Sequence, residues 1–505
     1  MLLAVFILAI LFRFLYFPDN IYFGFDQARD GFAVKEILAG DIKLIGPPTT
    51  FEGLNHGSLY YYLYAPIYWV SGGDPTLVAG FLRVLNSLGV ILIFLLSSIL
   101  FNRYVGLISA ALYAISFEQT QFALYFNHPS LAVISILLLF LGLALLIFSK
   151  KDFGLIIALL GLGLSIQFEF LLSYLIIPTL IILLVFRKLM PTLRTKVILI
   201  GLVTLFCILS TFIIAEFKYG FRSVLGLTRL LFNGSEKSLY QIVSMYLFEM
   251  GQMIKFNLTG VIQLKLLVGL VLLISFMISL KSVAKKQTIF LGIWFFSVII
   301  IYFISGGGDI KSEVIQYHPN VGVSLSLIIF VSYLLFILWK KNKFLSLVLI
   351  ILISAANFSL IQKINPSGSM PEINAQSFML LSDEKKVIDY IYQNSQDKQF
   401  ALKAISMPFY VNTTWSYLFE WYGVQKYGYL PIWNGKNALG FPGNLIVEDA
   451  QDKAPNLRYL IIEPIRGIPT YLINDYLREE SYFSDIIKEV EIGKFKVQIR
   501  HKKTQ

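Results

Sequence analysis

"HPSLAVISILLLFLGLALLIFSKKDFGLIIALLGLGLSIQFEF", residues 128 to 170, decides the fold. Two apolar runs, near 129–149 and 153–168, are separated by a short turn carrying Lys150, Lys151 and Asp152. Each run approaches the ~20 residues that a helix needs to cross a bilayer. Lipid offers no partner to backbone N–H and C=O groups, so such runs must bond internally, as helices. Working outward in both directions, the same pattern recurs. Eleven spans are expected, near 2–17, 77–101, 104–118, 129–149, 153–168, 170–187, 197–216, 263–280, 288–304, 319–339 and 344–362. The predicted fold class is therefore an α-helical polytopic membrane protein. The first run has neither a basic leader nor a small-residue cleavage site, so it is expected to be a retained helix and no signal peptide.

Charge supports the same reading. Only 14% of the 505 residues are charged, and 56% are hydrophobic. The short even-numbered loops hold 13 Lys and Arg residues against one acid, Asp152. By the positive-inside rule these loops are cytoplasmic. The stretch from residue 365 onward carries 16 basic and 16 acidic residues, so it is neutral. The net +11 thus reports topology and gives no support for nucleic-acid binding. Cys207 is the single cysteine, which excludes an intrachain disulfide and argues against a Cys-based metal site. An odd number of spans puts the N-terminus inside, with the long loops 18–76, 217–262 and 305–318 and the C-terminal stretch outside.

The composition changes after "INPSGSMPEIN" (364–374), a linker rich in Pro, Gly and Ser. Beyond it, "SDEKKVIDYIYQNS" (382–395) has helical spacing. "FALKAIS" (400–406) and "LRYLIIEP" (457–464) read as strands, and "VEIGKFKVQIRH" (490–501) as a hairpin turning near Gly493. The expected division is a membrane domain, 1–364, and a small α/β domain, 365–505. "GSLYYYLYAPIYWVSG" (57–72) reads as a helix in the membrane interface, either an aromatic belt or a platform under a cavity. "TTWSYLFEWYGVQKYGYLPIWNG" (413–435) suits sugar stacking and a packed core equally.

Polar residues near the span ends carry the functional signal. In "YFGFDQARDGF" (22–32), Asp26 and Asp30 are one helical turn apart, with Arg29 between them. Arg83, in "LVAGFLRVLNSLGV" (77–90), lies inside the second span, where a charge usually faces a cavity or a partner. It could snorkel to the headgroups or grip a phosphate through parallel hydrogen bonds. "SFEQTQFALYFNHPSLA" (116–132) brings Glu118, Asn127 and His128 to the same side, and Glu169 falls at the next turn on that side. His56, His128 and His318 share this side too. No HxxxH or HxxE spacing joins them, so no metal ligands are assigned and a divalent cation has no sequence support.

In this order the features resemble the membrane glycosyltransferases of the GT-C class, in the group of protein O-mannosyltransferases, aminoarabinose transferases and rhizobial lipopolysaccharide transferases (glycosyltransferase family 39-like). The residues that carry the resemblance are "FGFDQARDG", "HGSLYYYLYAPIYWVSGG", "FLRVLNSLG" and the paired spans around "SFEQTQFALYFNHPS", with a later echo in "VIQYHPNVGVSL". The resemblance implies transfer of a sugar from a polyprenyl-phosphate carrier to an acceptor on the outer face. It implies Asp26 as catalytic base and Arg83 as the cation for the carrier phosphate. Arg29, Asp30, His56, Glu118, Asn127, His128 and Tyr317 are candidate donor or acceptor contacts. Partners would be the lipid-linked donor, a glycolipid, glycan or protein acceptor, and membrane lipid. No cofactor is required, because phosphate leaves as an anion and one base inverts the anomeric carbon. The chain departs from the group at Gln27, where many relatives have a second acid, and at His128–Ser130, where they often read Arg-Pro-Asp. A glycan polymerase or ligase using Arg222 and Arg229 is the competing enzyme. A transporter or flippase would need ionisable residues near mid-span or internal repeats, and neither is found.

Overall fold

A computed structural model describes residues 1–49, 51–233, 237–305, 317–373, 376–396, 398–465 and 467–503. Seven of its helices are long and apolar enough to cross a membrane, and four shorter apolar helices accompany them. These eleven coincide with the eleven expected spans, and the protein is a multi-pass membrane protein. The third ends earlier than expected, at Ile115, where Ser116 caps a separate short helix that contains Glu118.

Nine helices build the half of the molecule that matters here: α1 (Leu2–Arg13), α2 (Phe25–Leu38), α3 (Leu59–Ser71), α4 (Pro75–Ser87), α5 (Gly89–Leu100), α6 (Arg103–Ile115), α7 (Phe117–Leu124), α8 (His128–Ile147) and α9 (Gly154–Phe168). Helix α4 and α5 form one apolar stretch, Pro75–Leu100. It starts at Asp74, whose carboxylate accepts from Thr76 N at 2.8 Å ahead of a proline at the first helical position. Asn102 and Asn127 cap α6 and α8 in the same manner.

Helix α8 is the axis of the bundle, 83% buried, whereas Thr195–Lys218 is 11% buried and Ile262–Ser279 only 6%. The apolar side chains left bare on those two helices face lipid, since water would not tolerate so large a patch. Packing of α8 on α9 depends on absent side chains. A Cβ on Gly142 would sit 2.3 Å from Ala158 N, and one on Gly161 would sit 2.3 Å from Leu139 N. Small residues at this seam let the two backbones touch. Ser135 and Ser165 hydrogen-bond across it at 2.8 Å.

At one end of the bundle a short hairpin, β1 (Ile45–Pro48) and β2 (Asn55–Gly57), precedes α3. That end also carries the C-terminal sheet. Its strands are β3 (Ala401–Ile405), β4 (Ile432–Trp433), β5 (Ile446–Val447), β6 (Leu457–Ile462), β7 (Ser484–Ile492) and β8 (Phe495–Lys502). Their order is β5-β4-β3-β6-β8-β7. The first four run parallel, and the β7–β8 hairpin joins antiparallel at β6. The expected helix is found at Leu381–Ser395, and the hairpin turns at Gly493, whose φ is +59°. The aromatic stretch after residue 413 is core: Trp415, Tyr417, Phe419 and Trp433 are fully buried. Tyr417 docks the sheet on the membrane half, packing on Phe23 and Phe32 and donating to Gly73 O at 2.6 Å.

Candidate active site

The approach to Asp26 is clamped before the helix begins. Leu381 N donates to Ile21 O and Phe23 N to Met379 O, both at 2.9 Å, around a bridge between Tyr22 and Leu380. Gly24 then starts α2, and the Gln27 side chain accepts from Gly24 N at 3.0 Å. Asp26 therefore lies in the first helical turn, where the helix dipole favours a carboxylate. Its side chain is 38% exposed, against 9% for Asp30. Arg29 spans the two, with contacts of 2.8 Å to each. Burial raises the pKa of Asp30, Arg29 opposes that rise, and Tyr61 adds a 3.3 Å hydrogen bond. The result is one open carboxylate, one covered carboxylate and a guanidinium holding both.

Helix α3 presents its tyrosines to this cluster. Tyr60, Tyr61, Tyr64 and Tyr68 are buried, while Trp69 and Val70 on the other side are 74% exposed. The helix therefore has one buried tyrosine face and one exposed apolar face. The Tyr60 ring reaches the His128 ring at 5.7 Å, and His128 stacks on His56 at 3.9 Å. Both histidines approach Glu169, at 3.4 Å from His56 and 3.7 Å from His128. Burial pushes the Glu169 carboxyl up to about 8. Sequence spacing gave no hint of this trio, because its members come from three loops.

Other expected site residues are placed elsewhere. Asn127 is committed to the start of α8, accepting from His128 N at 2.7 Å, and it donates to Tyr125 Oη at 2.8 Å. Glu118 and Tyr317 do meet, at 3.1 Å, but both are sealed in the interior, where Asn257 also donates to Glu118. Arg83 lies inside the bundle, away from solvent. It is fully buried, donates to Arg13 O at 3.0 Å and Asn20 Oδ1 at 2.9 Å, and lies over the Phe17 ring. Its hydrogen-bonding fork fastens the end of α1 to α4, which leaves no open face for a phosphate. The side chain of His318 and residues 306–316, part of the glycine-rich loop, lie outside the described residues.

Sequence reasoning missed Arg13 and Asn20, and it noticed Asn86 beside Arg83 without giving it a role. Arg13 donates to Asn86 Oδ1 at 2.6 Å and to Ala114 O at 2.9 Å, completing the dry corner around Arg83. A signal existed, since Arg13 is a cation inside an apolar run and Asn86 is one turn from Arg83. An apolar groove of about 410 Å³ opens between Leu239–Ile254 and Lys265–Ser279, with Lys265 in its wall.

Residues 55–214 match the family model described as dolichyl-phosphate-mannose-protein mannosyltransferase. No curated protein matches the sequence. The fold is similar to that of ArnT from Cupriavidus metallidurans in the apo state, with a TM-score of 0.62, 10% identity, and coverage of 98% of this chain and 97% of that one. The same enzyme bound to undecaprenyl phosphate gives 0.59, at 9% identity and the same coverage. The chain thus shares the fold of this membrane protein over nearly its whole length, and its residues 55–214 match the mannosyltransferase family model.

Proposed function

We propose that this protein moves a sugar from a polyprenyl-phosphate carrier to an acceptor hydroxyl on the outer face of the cell membrane, with inversion and with Asp26 as base. The observation that carries this reading is the half-open Asp26 carboxylate, fixed by Arg29 at the start of α2. Asp26 takes the acceptor's proton as its oxygen bonds to the anomeric carbon. The bond from that carbon to the phosphate oxygen breaks, and polyprenyl phosphate leaves as an anion. Arg29 is the cation beside this point, so it is the residue proposed to meet the leaving phosphate as its grip on Asp26 loosens. The prenyl tail would lie in the apolar groove that Lys265 borders. The matching dolichyl-phosphate-mannose family model and the similar ArnT structure bound to undecaprenyl phosphate support a carrier of this chemistry. The basic short loops support an orientation with the N-terminus in the cytoplasm and the C-terminal sheet outside.

The test is release of polyprenyl phosphate from a panel of polyprenyl-phosphate monosaccharides by protein in nanodiscs, supplied with membrane glycolipid and peptide acceptors. Release by wild type and none by Asp26→Asn, with unchanged unfolding temperature, is the expected result. Equal release by both would end the assignment of the base.

A further inference from the structure

We propose that His56, His128 and Glu169 bind one divalent cation of the zinc class, which clips three loops together beside the Asp26 cluster. The three residues come from β2, the first turn of α8 and the residue that ends α9, and all are buried. Their ligand atoms lie within 4.8 Å of one another. Two ligands ~2.1 Å from a tetrahedral ion lie about 3.4 Å apart. The separation of His56 Nδ1 from Glu169 Oε1 is 3.4 Å. Among the described residues Glu169 Oε2 is buried with no hydrogen-bond partner, a costly state for a carboxylate that an ion would relieve.

The surroundings fit as well. His128 Nδ1 lies 2.7 Å from Phe168 O, so the ring donates there and presents Nε2 as the ligand. A backbone carbonyl holding the distal N–H is the usual support for a metal-bound imidazole. His56 would use Nδ1, exchanging its 3.2 Å contact from Phe170 N for the ion. Two imidazoles and a carboxylate suit zinc; magnesium and calcium prefer all-oxygen sets. A cavity of about 20 Å³ beside His56 and Asn55 has room for one water as a further ligand. Because Tyr60 touches His128 and Tyr61 touches Asp30, the ion would set the pose of α3 against the base. It contacts no reacting atom, so its role is positioning.

The experiment strips the purified, tag-free full chain in nanodiscs with a chelator. It then titrates Co²⁺ by absorption and Zn²⁺ by elemental analysis, in wild type, Glu169→Gln, His128→Asn and the exposed-site control His501→Ala. The expected result is one ion per chain in wild type and control, with cobalt ligand-field bands. Affinity should fall at least ~100-fold in the two site variants. Wild type that binds no ion, or site variants that bind as well as wild type, overturns the proposal. Should the variants not fold, wild type decides alone. Chelation that lowers the unfolding temperature, reversed by Zn²⁺ but not Mg²⁺, supports the site; an unchanged temperature rejects it. None of these readouts depends on the donor or on Asp26.

Discussion

At the rim, Arg29 lies between Asp26 and Asp30, charge to charge at 2.8 Å on both sides. In the interior, Arg83 and Glu118 are bonded to neutral groups: a backbone carbonyl and Asn20 for the one, Tyr317 and Asn257 for the other. The difference separates machinery from scaffold. An ion pair in contact with water can exchange one partner for a ligand at small cost. A buried charge held by fixed dipoles cannot, because every released group stays dry and unpaired. On the function proposed above, Asp26 and Arg29 are the groups free to act, and Arg83 and Glu118 are the groups that hold helices in place.

The largest expected effect is on the rim. Asp26→Asn keeps the shape and removes the base, so transfer should fall about 10²–10⁴-fold while the unfolding temperature stays within a degree or two. Arg83→Met tests the other half of the contrast. Losing two charged hydrogen bonds and stranding Asn20 should cost about 2–4 kcal/mol of stability, read as lower yield and earlier unfolding in detergent. The protein that does fold should keep its kcat and its affinity for carrier. If instead Arg83→Met is stable and blind to carrier, the two regions are not divided as argued, and the phosphate role returns to Arg83.

Arg29→Lys sharpens the contrast further. A lysine keeps the charge but not the fork that reaches two carboxylates, so Asp26 should lose its fixed pose. About a 10–100-fold loss in kcat/KM is expected, with stability nearly unchanged. An effect as small as that of a remote surface lysine would mean that Asp26 needs no such partner.

The spans were legible because lipid imposes one rule on every residue of a crossing helix, and eleven apolar runs obey it. Asp26, Arg29 and Asp30 were legible because helical spacing alone brings positions 26, 29 and 30 to one face. The fate of Arg83 was not. Whether a cation in a span meets a ligand or a carbonyl depends on what α1 offers across the gap, and Arg13 O is invisible in the spacing of α4. The trio of His56, His128 and Glu169 was hidden for the same reason, since three separate loops supply it. Short-range pattern revealed faces and elements; contacts across 40 or 70 residues required the fold.

Glu118 supplies the smallest and most specific check on the contrast. Burial pushes its carboxyl up to about 7 in the folded chain, despite hydrogen bonds from Asn257, Ser324 and Tyr317. In the unfolded chain it titrates at about 4.3. Below that value both states are protonated and Glu118 makes no difference between them. As the pH rises toward 7 the unfolded chain gives up a proton that the folded chain keeps, so stability falls, by about 1.4 kcal/mol per pH unit at the steepest. Above about pH 7 both states are ionised and the fall stops. Glu118→Gln removes this proton and should flatten the decline in unfolding temperature between pH 5 and 7. Some slope should remain from Glu249, which burial pushes up to about 8 with Glu372 and Glu118 adding to the rise. A decline that Glu118→Gln leaves as steep as in wild type would overturn the assignment of Glu118 as the sealed acid, because the fall in stability would then come from other groups.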